Sequence, residues 1–311
     1  MRAWHGFLRH RGIDAAAALT FFSSLAFFPA ALAVVSAFAI GNGKRNASDV
    51  ILDIAGEVVQ PETVAALRDP VDQLFSVQNP GIGLAVGIVI SLWSLSGYAT
   101  AFGRAVNGVY EVHEGRQIWK FRGIMLVLAV FLLLAFAAIV VLLATTPRLA
   151  TAIAEPLGIG EPWIAIWSMG RWPVMLLIVT LLVAVLYYFT PNVRHERFRW
   201  VSHGALFAVV AWAMATLAFT LYVATVGQYD RIYGWLGGGL VLLLWLYLTN
   251  LVMVLGAEVD AEVVRLRQLH AGIPAEDVVQ LPMRDTTRNL ILARQRANDE
   301  AEGRRIRQGD S

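Results

Sequence analysis

Six long stretches without a charged side chain dominate this sequence of 311 residues. Each has close to 20 residues or more, the length that an α-helix needs to cross a bilayer. In lipid only helices and closed barrels satisfy their own backbone groups, and these continuous apolar runs lack the alternation of barrel strands. We therefore predict an all-α, polytopic membrane helical bundle with six transmembrane helices. The predicted helices are Ala15–Ile40, Gly81–Phe102, Gly123–Thr146, Trp172–Thr190, Gly204–Val226 and Trp235–Ala257.

Composition excludes several other classes of protein. Apolar residues make up 57% of the chain and charged residues 15%, against about 45–50% and 25% in soluble domains. The chain has no cysteine, and its six histidines never stand at a zinc-ligand spacing. No nucleophile elbow and no phosphate-binding loop occurs. We therefore expect no metal site, no cofactor, no enzymatic activity and, with a net charge of only +2, no nucleic-acid partner.

The distribution of Lys and Arg predicts the orientation of the bundle. The N-terminus, the second and fourth connections and the C-terminal region hold 19 of the 25 basic residues. By the positive-inside rule both termini face the cytoplasm, as in a bacterial inner-membrane protein. The first apolar stretch also resembles a secretory signal, but it is too long for a signal core. We predict a cytoplasmic N-terminus over 1–14, a membrane domain over 15–263 with an outward loop over 41–80, and a soluble, charged tail over 264–311.

The outward loop and the tail each allow two interpretations. Apolar stripes in the loop predict two amphipathic helices, which either cover helix ends or form a lid. The tail is predicted to be helical over 284–307, and its arginines are either solvated or touch anionic lipid headgroups. Glycine pairs at Gly83 and Gly87 and at Gly234 and Gly238 predict close approaches between helices.

Polar side chains within and beside the spans are candidates for a transport path or gate. Hydroxyl groups and a proline in the first two spans either hold helices together or line a cavity: Thr20, Ser23, Ser24, Pro29 and Ser94. Polar residues at helix ends are either interfacial anchors or gating and headgroup contacts: Arg104, Asn107, Asp230, Arg231, Tyr233 and Glu258. The six stretches themselves contain no ionisable residue, which disfavours a proton-coupled carrier and favours an uncharged or amphiphilic cargo.

Several motifs resemble those of the YihY/virulence factor BrkB family of bacterial inner-membrane proteins. They include the run from Ala18 to Pro29, Tyr188-Phe189-Thr190-Pro191-Asn192, Tyr233-Gly234 and Leu255-Gly256-Ala257-Glu258. The resemblance covers about residues 12–263 and implies six helices with both ends in the cytoplasm. It also adds Pro191 and Gly234 to the candidate path residues. Ser202-His203 and Gly237-Gly238-Gly239 depart from the family pattern, where proline is common.

The resemblance also implies what such a protein does. Family members have been named ribonuclease BN, virulence factor BrkB and envelope-integrity proteins, and one branch is associated with export of lipopolysaccharide precursors. We expect a protein that supports the cell envelope, surrounded by membrane lipids, that moves or flips a lipid-like amphiphile. The alternative is a scaffold that does not transport and that binds envelope proteins; RNA processing is a remote third reading. The oligomeric state stays open.

Overall fold

The structure is a computed structural model that describes residues 2–42, 52, 68, 79–145, 161–194, 202–226 and 236–309. The regular secondary structure of these ranges is helical, apart from one isolated antiparallel bridge between Val193 and Met283, and turns and irregular segments connect the helices. The helices are α1 (Arg2–Arg9), α2 (Gly12–Asn42), α3 (Pro80–Val109), α4 (Ile118–Ala144), α5 (Glu161–Phe189), α6 (His203–Val226), α7 (Leu236–His270) and α8 (Thr287–Gln308).

The prediction of an all-α bundle with six transmembrane helices is confirmed. Helices α2 to α7 are each long and apolar enough to cross a membrane. The last of them continues to His270, thirteen residues past the predicted end, so the proposed domain boundary at 263 falls within it. The two amphipathic helices proposed for 41–80 lie outside the described residues, as does the loop over 227–235.

The six spanning helices pack as a ring. Each helix from α2 to α6 contacts the next one along the chain, and α7 closes the ring against α2. Because the helices alternate in direction, one end of the ring collects α1, the connections after α3 and α5, and the segment after α7. We call this the basic end, since the segments predicted to lie there carry most of the Lys and Arg residues.

The hydrophobic core lies mainly in the half of the bundle next to the basic end. Phe102 is completely buried and stacks between two tyrosines, with ring centroids 6.2 Å from Tyr98 and 5.7 Å from Tyr187. Val106 on α3 and Val254 on α7 complete the same core. The opposite half packs differently: α2 and α3 stay in contact there, but the other four helices bury few of their described side chains. Those buried side chains are Ala135, Ala144, Arg171, Met175, Phe219 and Leu246.

A glycine allows the backbones of α2 and α3 to approach closely. A Cβ atom at Gly87 would lie 2.8 Å from the amide nitrogen of Ala33 and 2.8 Å from the carbonyl oxygen of Pro29. The predicted close approach at Gly87 is therefore present. The close approach predicted at Gly238 is wrong, because a Cβ there would meet nothing within 4 Å. Its pair, Gly234, lies outside the described residues.

We predict that Gly87→Ala destabilises the bundle by about 1–3 kcal/mol, because α2 and α3 must separate to admit the methyl group. Gly238→Ala is the matched control. It adds a methyl group in open space and replaces glycine within a helix, so its stability should be unchanged or higher. Thermal unfolding of the two variants in the same detergent measures the difference. Equal melting temperatures would contradict the described spacing of α2 and α3.

Candidate functional site

A buried amide joins three helices within the membrane domain. Asn250 on α7 accepts a hydrogen bond at Oδ1 from the hydroxyl of Tyr98 on α3, at 3.0 Å. Its Nδ2 lies 3.3 Å from both Thr20 Oγ1 and Ser23 Oγ on α2, and 2.9 Å from the carbonyl oxygen of Leu246. We call Thr20, Ser23, Tyr98 and Asn250 the membrane cluster.

The direction of each hydrogen bond in the membrane cluster follows from where Thr20 and Ser23 donate their hydroxyl hydrogens. Thr20 and Ser23 donate their hydrogens to carbonyl oxygens one turn earlier in α2, at 2.7 and 2.9 Å. Their oxygens are therefore left to accept from Asn250, whose two N–H donors are shared among Thr20, Ser23 and the carbonyl oxygen of Leu246. A polar group without a partner in lipid is costly, so the cluster holds α2, α3 and α7 together.

The other candidates from the first two spans stand apart from this cluster. Ser24 donates to the carbonyl oxygen of Phe21 in its own helix, at 2.8 Å. Pro29 is half-buried, with its carbonyl against Gly87, and Ser94 is half-buried on α3. Four candidates from the short connection before α7 lie outside the described residues: Asp230, Arg231, Tyr233 and Gly234.

A second group of polar residues, at the basic end, joins three connections. The backbone N–H of Asn192 donates to Oδ1 of Asn107, at 2.8 Å. The side-chain amide of Asn192 donates to the carbonyl oxygens of His113 and Asp285, and its Oδ1 accepts from the N–H of Asp285. Pro191, also buried, precedes this residue and breaks α5, since proline offers no backbone N–H. The part of the predicted tail that directly precedes α8 is therefore fixed to the bundle.

A fully buried arginine completes this group. The guanidinium of Arg116 donates to both carboxylate oxygens of Glu114, at 2.7 Å each. It also donates to the carbonyl oxygens of Phe189 and Thr190, at 3.3 and 2.6 Å, at the C-terminal end of α5. A cation is favourable at that end of a helix. Asn107, Glu114, Arg116 and Asn192 form what we call the loop cluster, in which Asn107 also donates to Glu114.

Two carboxylates lie buried in the part of α7 that extends beyond the predicted span. Glu258 contacts Nδ1 of His10 at 2.8 Å, and Gly6 of α1 leaves room for its side chain. Asp260 accepts from the backbone N–H of Gly204 in the first turn of α6, and from the hydroxyl of Tyr110. Asp, Glu, His, Lys and Arg are absent from the six predicted stretches, as stated, but α7 extends past its predicted stretch and there carries six such residues, among them the buried Glu258 and Asp260.

The surface of the basic end carries an ion pair between the α4 entry and the tail. Lys120 lies 3.0 Å from the carboxylate of Asp285. Hydrogen bonds from the backbone N–H and the hydroxyl of Thr287, followed by Lys120, hold the pKa of Asp285 well below its ordinary value. Arg104, a candidate for headgroup contact, is exposed on α3 near this end.

Comparison with known proteins decides the family. A family model described as virulence factor BrkB matches residues 3–278. The chain belongs to this family. A Bacillus subtilis (strain 168) protein that bears a ribonuclease-like name, YfkH, is 29% identical over 255 residues, covering 81% of this chain and 90% of that protein. A UPF0761 membrane protein of Histophilus somni (strain 129Pt) is 26% identical, covering 83% and 88%. No solved structure matches the chain.

The BrkB-family bundle contains important residues that sequence patterns left out of the candidate set. Asn250 is an amide inside an apolar stretch, and this pattern could have indicated a contact between helices. Its partner Tyr98 has the sequence pattern of an interfacial aromatic residue. Arg116 and Asn192 stand in connections, where the sequence offers no sign that they are buried. His10 stands between Arg9 and Arg11, and this pattern predicts a solvated N-terminus rather than a buried histidine.

We predict that Asn250→Leu destabilises the bundle by about 1–2 kcal/mol, because the Tyr98 hydroxyl loses its acceptor within the membrane. Thr180→Ala serves as the control, since the exposed hydroxyl of Thr180 bonds only to its own helix, at Leu176. Unfolding in a detergent series reports both variants. If Thr180→Ala lowers the free energy of unfolding as much as Asn250→Leu does, the membrane cluster has no special part in stability.

We predict that Asn192→Ala releases the segment after α7, because the substitution removes the side-chain hydrogen bonds to that segment. The buried backbone groups that lose their partners destabilise the attachment by about 1–3 kcal/mol. Trypsin cleavage near Arg284 should accelerate about tenfold or more. Asn298→Ala, on the exposed face of α8, should leave the cleavage rate unchanged. An unchanged rate in Asn192→Ala would contradict the role assigned to this side chain.

Proposed function

We propose that this multi-pass membrane protein moves or flips a lipid-like amphiphile across the bacterial inner membrane and so supports the cell envelope. The observation that carries the proposal is the unequal packing of the bundle. The core fills the half next to the basic end, whereas α4 to α7 bury few described side chains in the opposite half. A bundle that is closed at one end and loosely packed at the other suits a carrier that opens to one side at a time.

The polar groups of the loosely packed half suit an amphiphile. Trp212 and Trp245 lie between α6 and α7, and their indole N–H groups donate to Thr249 and Thr216 at 3.2 and 3.4 Å. Aromatic and hydroxyl groups accommodate an apolar chain and bond weakly to polar substituents. In the proposal the exposed Arg104 meets the headgroup of the cargo, and so does Arg231, which lies outside the described residues.

The proposal places the basic end in the cytoplasm. The excess of Lys and Arg in the segments grouped there supports this orientation. Trp119, at the entry to α4, is exposed, as expected for an aromatic side chain at the membrane surface.

A non-transporting scaffold is the second candidate. Helix α8 contains no buried residue, although the segment before it is fixed to the loop cluster. An exposed helix of 22 residues offers a surface to an envelope protein. RNA processing is a third and remote candidate, favoured only by the name of one relative; among the residues that the structure describes, no group of acidic and histidine side chains is suited to hold a metal ion.

Single cysteines in this naturally cysteine-free chain test transport against scaffolding. Thr216→Cys places a thiol in the loosely packed half beside Trp245, and we expect a membrane-impermeant thiol reagent applied from the side opposite the basic end to label it. Leu217→Cys, one residue on and exposed to lipid, should stay unlabelled, because thiols react as thiolates in water.

Thr20→Cys, within the membrane cluster, is the control for the closed half and should also stay unlabelled. If none of the three cysteines is labelled in a folded protein, a water-filled cavity is excluded and the scaffold is supported. In that case deletion of 287–311 alone should reproduce the phenotype of the missing protein. Degradation of RNA by metal-free, purified protein would instead revive the third candidate.

A further inference from the structure

A histidine lies between two carboxylates where α1, α3 and α7 meet at the basic end. Nδ1 of His10 is 2.8 Å from Oε1 of Glu258, and Nε2 of the same ring is 3.4 Å from Oε1 of Glu111. The three residues come from the turn between α1 and α2, the connection after α3, and α7. Among the residues that the structure describes, the remaining charged group that faces His10 is Arg9, which lies 3.5 Å from Glu111.

The backbone is strained on both sides of this contact. Arg11, directly after His10, and Glu111 both adopt the left-handed conformation, with φ angles of 55° and 54°. For residues other than glycine this conformation costs about 1–2 kcal/mol each. Strain of this kind persists when the surrounding contacts hold it. Here both residues lie just past a helix end, where the N–H of Arg11 donates to the carbonyl oxygen of Leu8 and the N–H of Glu111 to that of Gly108.

The protonation state of the ring decides how many carboxylates it can bind. An imidazolium ion has two N–H donors, one for each carboxylate, whereas a neutral imidazole has one. Loss of a proton must therefore turn a ring lone pair toward either Glu258 or Glu111. The side chain of Glu258 is 3% exposed and that of Glu111 is 25% exposed, so hydration compensates Glu111 more readily for a lost hydrogen bond.

We propose that His10, Glu258 and Glu111 form a proton-binding site through which the pH at the basic end controls the attachment of α1 to the connection after α3. With the proton bound, His10 ties Glu111 to α7. Without it, His10 stays with Glu258, and the Glu111 side chain turns to solvent. This site regulates the bundle whether or not the bundle carries a cargo, so it does not rest on the proposed function.

The electrostatic surroundings support proton binding near neutral pH. The hydrogen bond with Glu258 is the largest influence and raises the pKa of His10 above its ordinary 6.5, against the opposing effects of burial and Arg9. Because the folded-state pKa is raised, the stabilisation is complete below pH 6.5 and disappears as the pH rises through the folded-state pKa. Attachment should therefore be tight in mildly acidic and loose in alkaline solution.

Two spin labels on the full chain in lipid nanodiscs test the site. Leu8→Cys on α1 and His113→Cys after α3 are both exposed and leave the three proton-binding residues in place. We expect a narrow distance distribution at about pH 5.5 and a longer or broader one at about pH 9, on either side of the histidine range. Identical distributions at the two pH values would overturn the proposal.

Substitutions in the doubly labelled protein separate His10 from other titrating groups. His10→Gln, which never carries the charge, should give the alkaline distribution at both pH values, and so should Glu111→Gln. The exposed His5→Gln, also on α1, should keep the pH response of the parent. A response that persists in His10→Gln would overturn the assignment.

Histidine NMR provides a second readout that does not depend on whether His10→Gln folds. The His10 ring of the otherwise native protein should titrate above 6.5, and its midpoint should fall in Glu111→Gln, which loses one of the two carboxylates. A titration midpoint of the His10 ring at or below pH 6.5 would count against the site.

Discussion

Hydrogen bonds from buried side chains to the ends of the spanning helices hold the basic end of the bundle together. Arg116 binds the last carbonyl oxygens of α5, and Asp260 accepts from the first turn of α6. Helix termini always leave backbone groups without partners in the helix, and near the bilayer water serves them poorly. Because these partners come from other connections and helices, satisfying the ends also fixes the positions of neighbouring helices. The tight core around Phe102 depends on this arrangement.

The contrast between the two halves of the bundle follows from where such polar contacts occur. In lipid there is little hydrophobic gain from bringing apolar helices together, so packing, small residues and hydrogen bonds determine association. At the basic end and in the membrane cluster all three operate. In the opposite half, α2 and α3 still pack through Gly87, while α6 and α7 bury only Phe219 and Leu246 among their described side chains. Looser packing there is the expected result, and it is also what a carrier that opens on that side requires.

The family description and the names of the relatives mention no cargo, so the proposal of transport rests on the chemistry of this chain's own side chains. Buried charges are concentrated at the basic end, where both buried carboxylates of α7 already have a partner: His10 for Glu258 and Tyr110 for Asp260. Such a distribution leaves the central part of the bundle to hydroxyl, amide and aromatic groups. A cargo that is mainly apolar is easier to reconcile with that interior than a hydrophilic ion.

The amino-acid sequence alone determined the number of spans, their approximate limits and their grouping into alternating directions, because apolar length and charge placement act locally along the chain. It also indicated Thr20, Ser23 and Gly87 as contact residues. Only the tertiary structure decided that Asn250 joins Thr20 and Ser23 to Tyr98, that Arg116 is buried, that Asn192 anchors the tail and that His10 lies between two carboxylates. These contacts join residues between 73 and 248 positions apart in the chain, apart from the local pairing of Arg116 with Glu114. No local pattern encodes such partners, since a polar residue in a connection has the same sequence signature whether water or a distant helix satisfies it.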